Sequence, residues 1–355
     1  MLVMKGVRVL VTGHTGFKGS WLCLLLRRMG AEIFGLSLRP DTHCCLYEQA
    51  RIGEILSGEF FVDIRDAGAV ASAAGFINPN VVFHLAAQAL VRRSYREPLA
   101  TMATNVLGTA HVLEALLAVQ QLRAVVVVTT DKVYANAERG IPFREEDPLG
   151  GHDPYSASKA ASEIVAASWR TSFATRRIPP VAIATARAGN VIGGGDYAED
   201  RLLPDCLRAF AASRPLVLRQ PAAIRPWQHV LEPLTGYLAL ANRLLGADGQ
   251  AFAEGWNFGP DAGDDLPVGE VARLAATTWG PGAMVEAHAD LATPPEASVL
   301  RLDTAKARTQ LGWAPRWRLE RAVFETVAWH QRVAAGADAR AVCEAQIDAY
   351  LAGRP

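Results

Sequence analysis

A run of β-branched residues ends in Thr129-Thr130-Asp131-Lys132-Val133-Tyr134, so hydroxyls, a carboxyl and an amine emerge together from the end of a buried strand. An acid kept protonated by burial can give up a proton near neutral pH. Further along, "YSASK" places Tyr155 and Lys159 four residues apart, on one face of a helix. A lysine cation near a phenol stabilises the phenolate and lowers its pKa from about 10. Such a tyrosine can take a hydroxyl proton while hydride leaves the same carbon. Together these residues suit oxidation of an alcohol followed by proton transfers.

A hydride needs an acceptor. "GHTGFKG" puts Gly13, Gly16 and Gly19 after a strand and at the mouth of a helix, with Thr15, Phe17 and Lys18 between them. Gly13 permits a tight turn, Gly16 lets backbone N–H groups approach a pyrophosphate, and Gly19 allows close helix–strand packing. The helix N-terminus faces the phosphates with its partial positive charge. The acidic residue expected at the end of the second strand is absent; Ser37, Arg39 and Asp41 stand there. Arg39 can meet a 2′-phosphate or be a solvated surface charge, which leaves NAD and NADP both open. Asp63, after a third strand, suits the adenine edge or a helix N-cap. Leu85, Ala86 and Ala87 suit the nicotinamide ribose pocket, with Gln88 near the substrate, and Ile64, Asn105 and Thr129 complete the cofactor set.

The elements that must position these groups are legible. Strands are expected at 7–13, 32–38, 81–87, 124–130 and 181–187, and helices at 17–30, 66–77, 99–120 and 154–173. Strands apolar on both faces and spaced by helices imply a doubly wound α/β fold with a parallel sheet. After 187 glycine and proline become denser, with helices expected at 201–213, 231–245, 267–278 and 303–311. Residues 1–187 read as a dinucleotide-binding domain, to which segments near 224–257 return. Residues 188–335 read mainly as a smaller mixed α/β substrate domain, and 336–355 as a helical tail. The 355 residues carry 36 basic and 36 acidic side chains, a balance that argues against nucleic acid as the main partner. Five cysteines without a CxxC spacing argue against a disulfide framework. Cys44 and Cys45 beside His43 do not make a metal site. No signal-peptide pattern and no run long enough to span a bilayer is evident, so a cytoplasmic protein is expected.

The glycine loop, Tyr155 and Lys159 resemble the extended short-chain dehydrogenase/reductase superfamily. "TTDKVY", "DPYSASK", "RAGNVIGGGD", "IRPWQHVLEPL" and "EGWNFGP" resemble, more narrowly, its bacterial CDP-glucose 4,6-dehydratases, from about residue 7 to 335. The resemblance implies a Rossmann-type fold, NAD as cofactor and a nucleotide sugar as substrate. It implies oxidation at C4 of the hexose, loss of water across C5 and C6, and return of hydride to C6, in deoxysugar and lipopolysaccharide O-antigen biosynthesis. In these terms Thr130 polarises the C4 oxygen and Asp131 protonates the departing C6 oxygen. Lys132 occupies the place where related dehydratases carry a glutamate base. Either it is desolvated and takes the C5 proton, or it stays charged and stabilises the enolate.

A diphosphate calls for arginines. Arg225 matches the family position that meets the phosphates, with Arg201 and Arg219 as further candidates. Asn190 can bind a diphosphate oxygen or a sugar hydroxyl, and Asn257 is similar. His229 either meets the substrate or supports Arg225. His84 reads as a satisfied core residue rather than a base, and Tyr134 as structural. The helices 99–120 and 154–173 carry apolar faces that the superfamily uses to build a homodimer or a dimer of dimers. The alternatives are a nucleotide-sugar C4 epimerase, which would not need Asp131 and Lys132, and a catalytically inactive dinucleotide sensor.

Overall fold

The computed structural model describes residues 4–40, 44–137, 140–287 and 298–353; Asp41 and His43 lie outside the described residues. The strands in chain order are β1 (Arg8–Thr12), β2 (Glu32–Ser37), β3 (Gly58–Phe61), β4 (Val81–His84), β5 (Ala124–Val128), β6 (Ala182–Ala188), β7 (Asn190–Ile192), β8 (Leu216–Leu218), β9 (Ile224–His229), β10 (Gly255–Phe258), β11 (Asp265–Pro267) and β12 (Val285–Ala287). Seven of them form one parallel sheet in the order β10-β6-β5-β4-β1-β2-β3. The order reverses between β1 and β4, and ligands of such sheets bind in the crevice beyond the strand ends at that point. A three-stranded sheet, β11-β9-β7, and a two-stranded pair, β12-β8, follow outside it.

Strand residues alternate between two covered faces. Val9 and Val11 join a core with Trp21, Leu22 and Leu25 of the helix Phe17–Arg28 and with Leu234 and Leu238 of the helix Leu231–Leu244. Leu10 faces the opposite core, with Val70 and Ile77 of the helix Ala67–Ile77 and Val112 and Leu116 of the helix Gly108–Leu117. The expected helix 99–120 is one path with an irregular centre: Pro98–Met102, a π-helical turn Ala103–Leu107, then Gly108–Leu117. Asn105 lies in that π turn, a distortion that often marks a functional position.

Two expectations about elements need correction. Strands expected to reach 87 and 130 stop at His84 and Val128; past them Ala86 N donates to Thr12 Oγ1, Gln88 N to Asn105 Oδ1, and Val128 O accepts from Lys159 Nζ. A helix at Leu319–Ala334 had not been expected, although Leu319, Ala322, Val323, Thr326 and Val327 are buried at helical spacing. The tail forms a helix, Ala339–Leu351, whose Val342, Ile347 and Tyr350 join the same core as Trp21. Segment 224–257 divides: β9 pairs with β7 and β11, whereas β10 is the edge strand of the large sheet.

Candidate active site

The glycine loop lies at the β1/β4 switch point. Gly13 has φ +76°, and a Cβ there would sit 2.7 Å from Ala86 N. A Cβ on Gly19 would sit 2.1 Å from Gly13 O, so neither position tolerates a side chain. The helix Phe17–Arg28 begins after Gly16 with no side-chain cap, leaving its first N–H groups to receive a pyrophosphate. This cradle fits a dinucleotide. Thr15 Oγ1 donates to Leu38 O (3.0 Å) and lies 2.8 Å from Ser37 Oγ, tying the loop to the end of β2. Arg39 stacks over the Phe61 ring at 4.1 Å. Asp63 is not the N-cap: Asp66 caps the helix through Ala69 N, while Asp63 accepts from Arg65 N and its guanidinium. Ile64 is buried beneath Gly108.

The other side of the crevice is locked from within. Thr12 Oγ1 accepts from Leu85 N and Ala86 N (both 3.1 Å) and bonds His84 Nδ1 at 2.7 Å. Thr109 donates to Asn105 O, so His84 Nε2 must carry the proton it gives Thr109 Oγ1 at 3.1 Å. His84 is therefore a neutral core residue; burial drives its pKa down to about 3, helped by the charge of Lys159. Asn105 accepts from Gln88 N and donates to Gln88 O and Ser158 Oγ, so it holds the 85–88 loop rather than offering groups to a cofactor. Gln88 is half-buried, donating to Thr101 Oγ1 and accepting from Leu90 N.

The turn after β5 carries the acid. Thr130 Oγ1 donates to Asp131 Oδ1 at 2.9 Å and accepts weakly from Lys132 N. Asp131 is 1 % exposed, and its Oδ2 is buried without a hydrogen-bond partner among the described residues. Burial pushes its pKa up against the opposing pull of Lys132, Thr130, Arg225 and Lys18. Oδ2 lies against Gly189, where a Cβ would come within 3.2 Å of it. Lys132 is half-buried, in contrast to Asp131 beside it.

Tyr155 and Lys159 share the helix Pro154–Ser172, capped by Asp153 and pinned by Tyr155 N donating to Ser94 Oγ. The expected lowering of the phenol pKa is not found. Burial pushes Tyr155 up to about 12, opposed by the Thr130 hydrogen bond and by Arg201. Lys159 Nζ donates instead to Val128 O at 2.9 Å, and its own burial lowers its pKa to about 8. Lys18 donates to Tyr237 OH at 3.4 Å. Burial, then Arg201 and Lys159, bring it down to about 7. Arg201, Lys18, Lys159, Asp131 and Tyr155 are thus electrostatic neighbours around one crevice. Phe17 lies beside it, 3.1 Å from where a Cβ on Gly193 would stand.

Of the substrate candidates, Arg225 is buried at 3 % exposure near enough to act on Asp131, and Arg201 pairs with Asp196 at 3.1 Å. Arg219 and Arg92 each reach Asp200 Oδ1 at 3.2 Å. Asn190 opens β7 opposite Trp227 of β9. Two candidates do not belong to the site. His229 is packed between Trp21 and Trp317, with burial lowering its pKa to about 3. Asn257 accepts from Tyr134 OH and donates to Phe143 O and Asp303 O, all internal bonds. Thr129 is likewise turned away from the crevice, donating to Glu163 Oε1 at 2.5 Å. Sequence reasoning missed Arg92, His14, Glu59, Glu163 and Arg187. His14, inside the glycine loop, bonds Glu59 Oε1 at 2.7 Å, so an acid from β3 stands near the place where one was sought at the end of β2. The signal for Glu163 was its position four residues after Lys159.

Comparison with known proteins bears on this geometry. A family model described as GDP-mannose 4,6 dehydratase matches residues 10–326. CDP-glucose 4,6-dehydratase of Salmonella typhimurium is 45% identical over 354 residues, covering 98% of this chain and 97% of the relative. Among solved structures, the NAD-dependent NDP-hexosamine 5,6-dehydratase TunA is similar with a TM-score of 0.75 and 28% identity, over 92% of this chain and 98% of that one. A double mutant of DesIV, the dTDP-glucose 4,6-dehydratase of Streptomyces venezuelae, with NAD bound, is similar with a TM-score of 0.76 and 26% identity, over 91% and 97%.

Proposed function

The chain belongs to the GDP-mannose 4,6-dehydratase family, and from that premise we propose that it converts CDP-glucose to CDP-4-dehydro-6-deoxyglucose and water with NAD. The observation that carries the reading is Asp131, a buried carboxyl with an unpaired oxygen beside Tyr155 and Thr130. An epimerase needs the tyrosine but no such acid. Residues Gly13 to Gly19, Ser37, Arg39, Asp63 and the 85–87 loop would hold the dinucleotide. When bound, NAD would supply the acceptor for the C4 hydride and its later donor to C6, and its positive ring would favour a phenolate nearby. Tyr155 takes the C4 hydroxyl proton while Thr130 hydrogen-bonds that oxygen. With C4 a ketone, the C5 proton is acidic; Lys132 removes it, Asp131 protonates the C6 oxygen, which leaves as water, and Lys132 gives the proton back to C5 as hydride reaches C6. Arg225 and Arg201 hold the diphosphate, with Asn190 on a diphosphate oxygen or a sugar hydroxyl.

Incubation with CDP-, dTDP-, UDP- and GDP-glucose, followed by the absorbance of the 4-keto product in alkali, tests the reading. CDP-glucose should give the product fastest. A mixture of C4 epimers with no keto product would instead establish an epimerase. A homodimer in the cytoplasm completes the proposal. Leu99 and Ile164 are 84 % and 61 % exposed on the two helical segments that would face a second copy. No described helix is long and apolar enough to cross a membrane. The division at 187/188 remains part of this proposal, with Ala188 ending β6 and Asn190 opening β7 of the small sheet.

A further inference from the structure

Beneath the catalytic turn lies a buried polar cluster that the mechanism does not use. Glu163 follows Lys159 by four residues on one face of the helix Pro154–Ser172 and is 4 % exposed. Its Oε1 accepts from Thr129 Oγ1 (2.5 Å) and Arg187 Nε (3.0 Å), and its Oε2 from Thr185 Oγ1 (2.5 Å) and Arg187 Nη2 (2.9 Å). Arg187 Nη1 donates onward to Tyr134 OH (2.8 Å) and Glu145 O (3.0 Å). Thr129 and Tyr134 bracket Thr130, Asp131, Lys132 and Val133. Both ends of the reactive turn are therefore one hydrogen bond from the same ion pair.

We propose that the Glu163–Arg187 pair is a positioning device for the catalytic turn, clamping it through Thr129 at one end and Tyr134 at the other. The inference rests on the dehydratase reading above. A buried ion pair gives little net stability over apolar residues of the same size, so stability alone does not account for it. The bidentate fork is geometrically specific, as suits alignment rather than cohesion. Thr130 bonds to Asp131, to Lys132 N and to Tyr155, and Val133 O accepts from Gly150 N, so the clamp adds a fixed anchor at each end to these ties. The same carboxylate acts on Lys159, opposing the loss of its proton that burial favours. One pair thus links the tyrosine–lysine helix, the acid-bearing turn and the β6 strand.

The test uses Thr129→Val and Tyr134→Phe, which cut the two ends of the clamp without unpairing Glu163 from Arg187. Initial rates on CDP-glucose, quenched single turnovers and thermal melts are compared with wild type. Each variant should lose roughly 10- to 100-fold in kcat, with KM within about twofold of wild type and an unchanged melt for Thr129→Val. Undehydrated 4-keto intermediate should accumulate, because Asp131 is the group displaced, and Thr129→Ser should restore kcat. A kcat within about twofold of wild type in Thr129→Val, or a loss that Thr129→Ser does not restore, overturns the inference. So does Tyr134→Phe, folded, at wild-type kcat. Absence of turnover in wild type would instead count against the dehydratase reading itself.

Discussion

Replacing Asp131 with Asn isolates the proton donor. Asn keeps the shape, and its carbonyl can still accept from Thr130 Oγ1, which now bonds Asp131 Oδ1 at 2.9 Å. The position is 1 % exposed, so no bulk water replaces the lost acid. General acid catalysis contributes about 10²- to 10⁴-fold, or about 3–5 kcal/mol of barrier. That loss should fall on elimination alone, because C4 oxidation uses Tyr155 and precedes it. In a quenched single turnover, mass spectrometry should show the undehydrated 4-keto nucleotide building up while the dehydrated product falls by that factor. The sign of the pH dependence follows from the same residue. Burial raises the Asp131 pKa, so elimination is fast while the carboxyl holds its proton and slows as pH rises through that raised value. Dehydrated product at the wild-type rate, or equal loss of oxidation and elimination, would refute the assignment.

Lys132→Met should block exchange of solvent deuterium into C5 while C4 oxidation remains detectable; normal exchange would remove Lys132 as the base. Gly19→Ala places a Cβ 2.1 Å from Gly13 O, so the loop must open. Dinucleotide binding by calorimetry should be abolished, with the fold weakened by about 1–3 kcal/mol. Glu232 accepts from Arg316 N, Trp317 N and Tyr350 OH, and its burial raises its pKa from 4.5 to about 7. A raised folded pKa means that its share of stability is fully present below about 4.5 and is lost as pH rises through about 7. Denaturant melts should show wild type losing on the order of 3 kcal/mol more than Glu232→Gln between those limits.

The sequence exposed the parallel sheet because its strands are apolar on both faces, and the cofactor loop because Gly13 takes a positive φ and Gly19 packs on Gly13 O within the same turn. Tyr155 and Lys159 were legible because four-residue spacing on one helix makes neighbours, and Asp131 because it follows the end of a buried strand. Long-range partners were not. Nothing in the order of residues told that Gln88 would turn to Thr101, that Asn257 would satisfy Tyr134, or that His229 would lie between two tryptophans. Those outcomes depend on which chain segments meet. The partner of Lys159 was hidden for a related reason. Helical spacing puts Lys159 beside Tyr155, but the ammonium found the Val128 carbonyl, and burial then dominated both groups. The helix Leu319–Ala334 shows the reverse, a plain amphipathic period obscured by the Gly, Pro and Trp residues that precede it.

The central claim is that one hydride leaves C4 and returns to C6 of the same hexose. CDP-glucose deuterated at C4, turned over in ordinary water, tests it directly by NMR of the product. The account predicts deuterium on the C6 methyl group. Deuterium still at C4, or lost to solvent with none at C6, would contradict it.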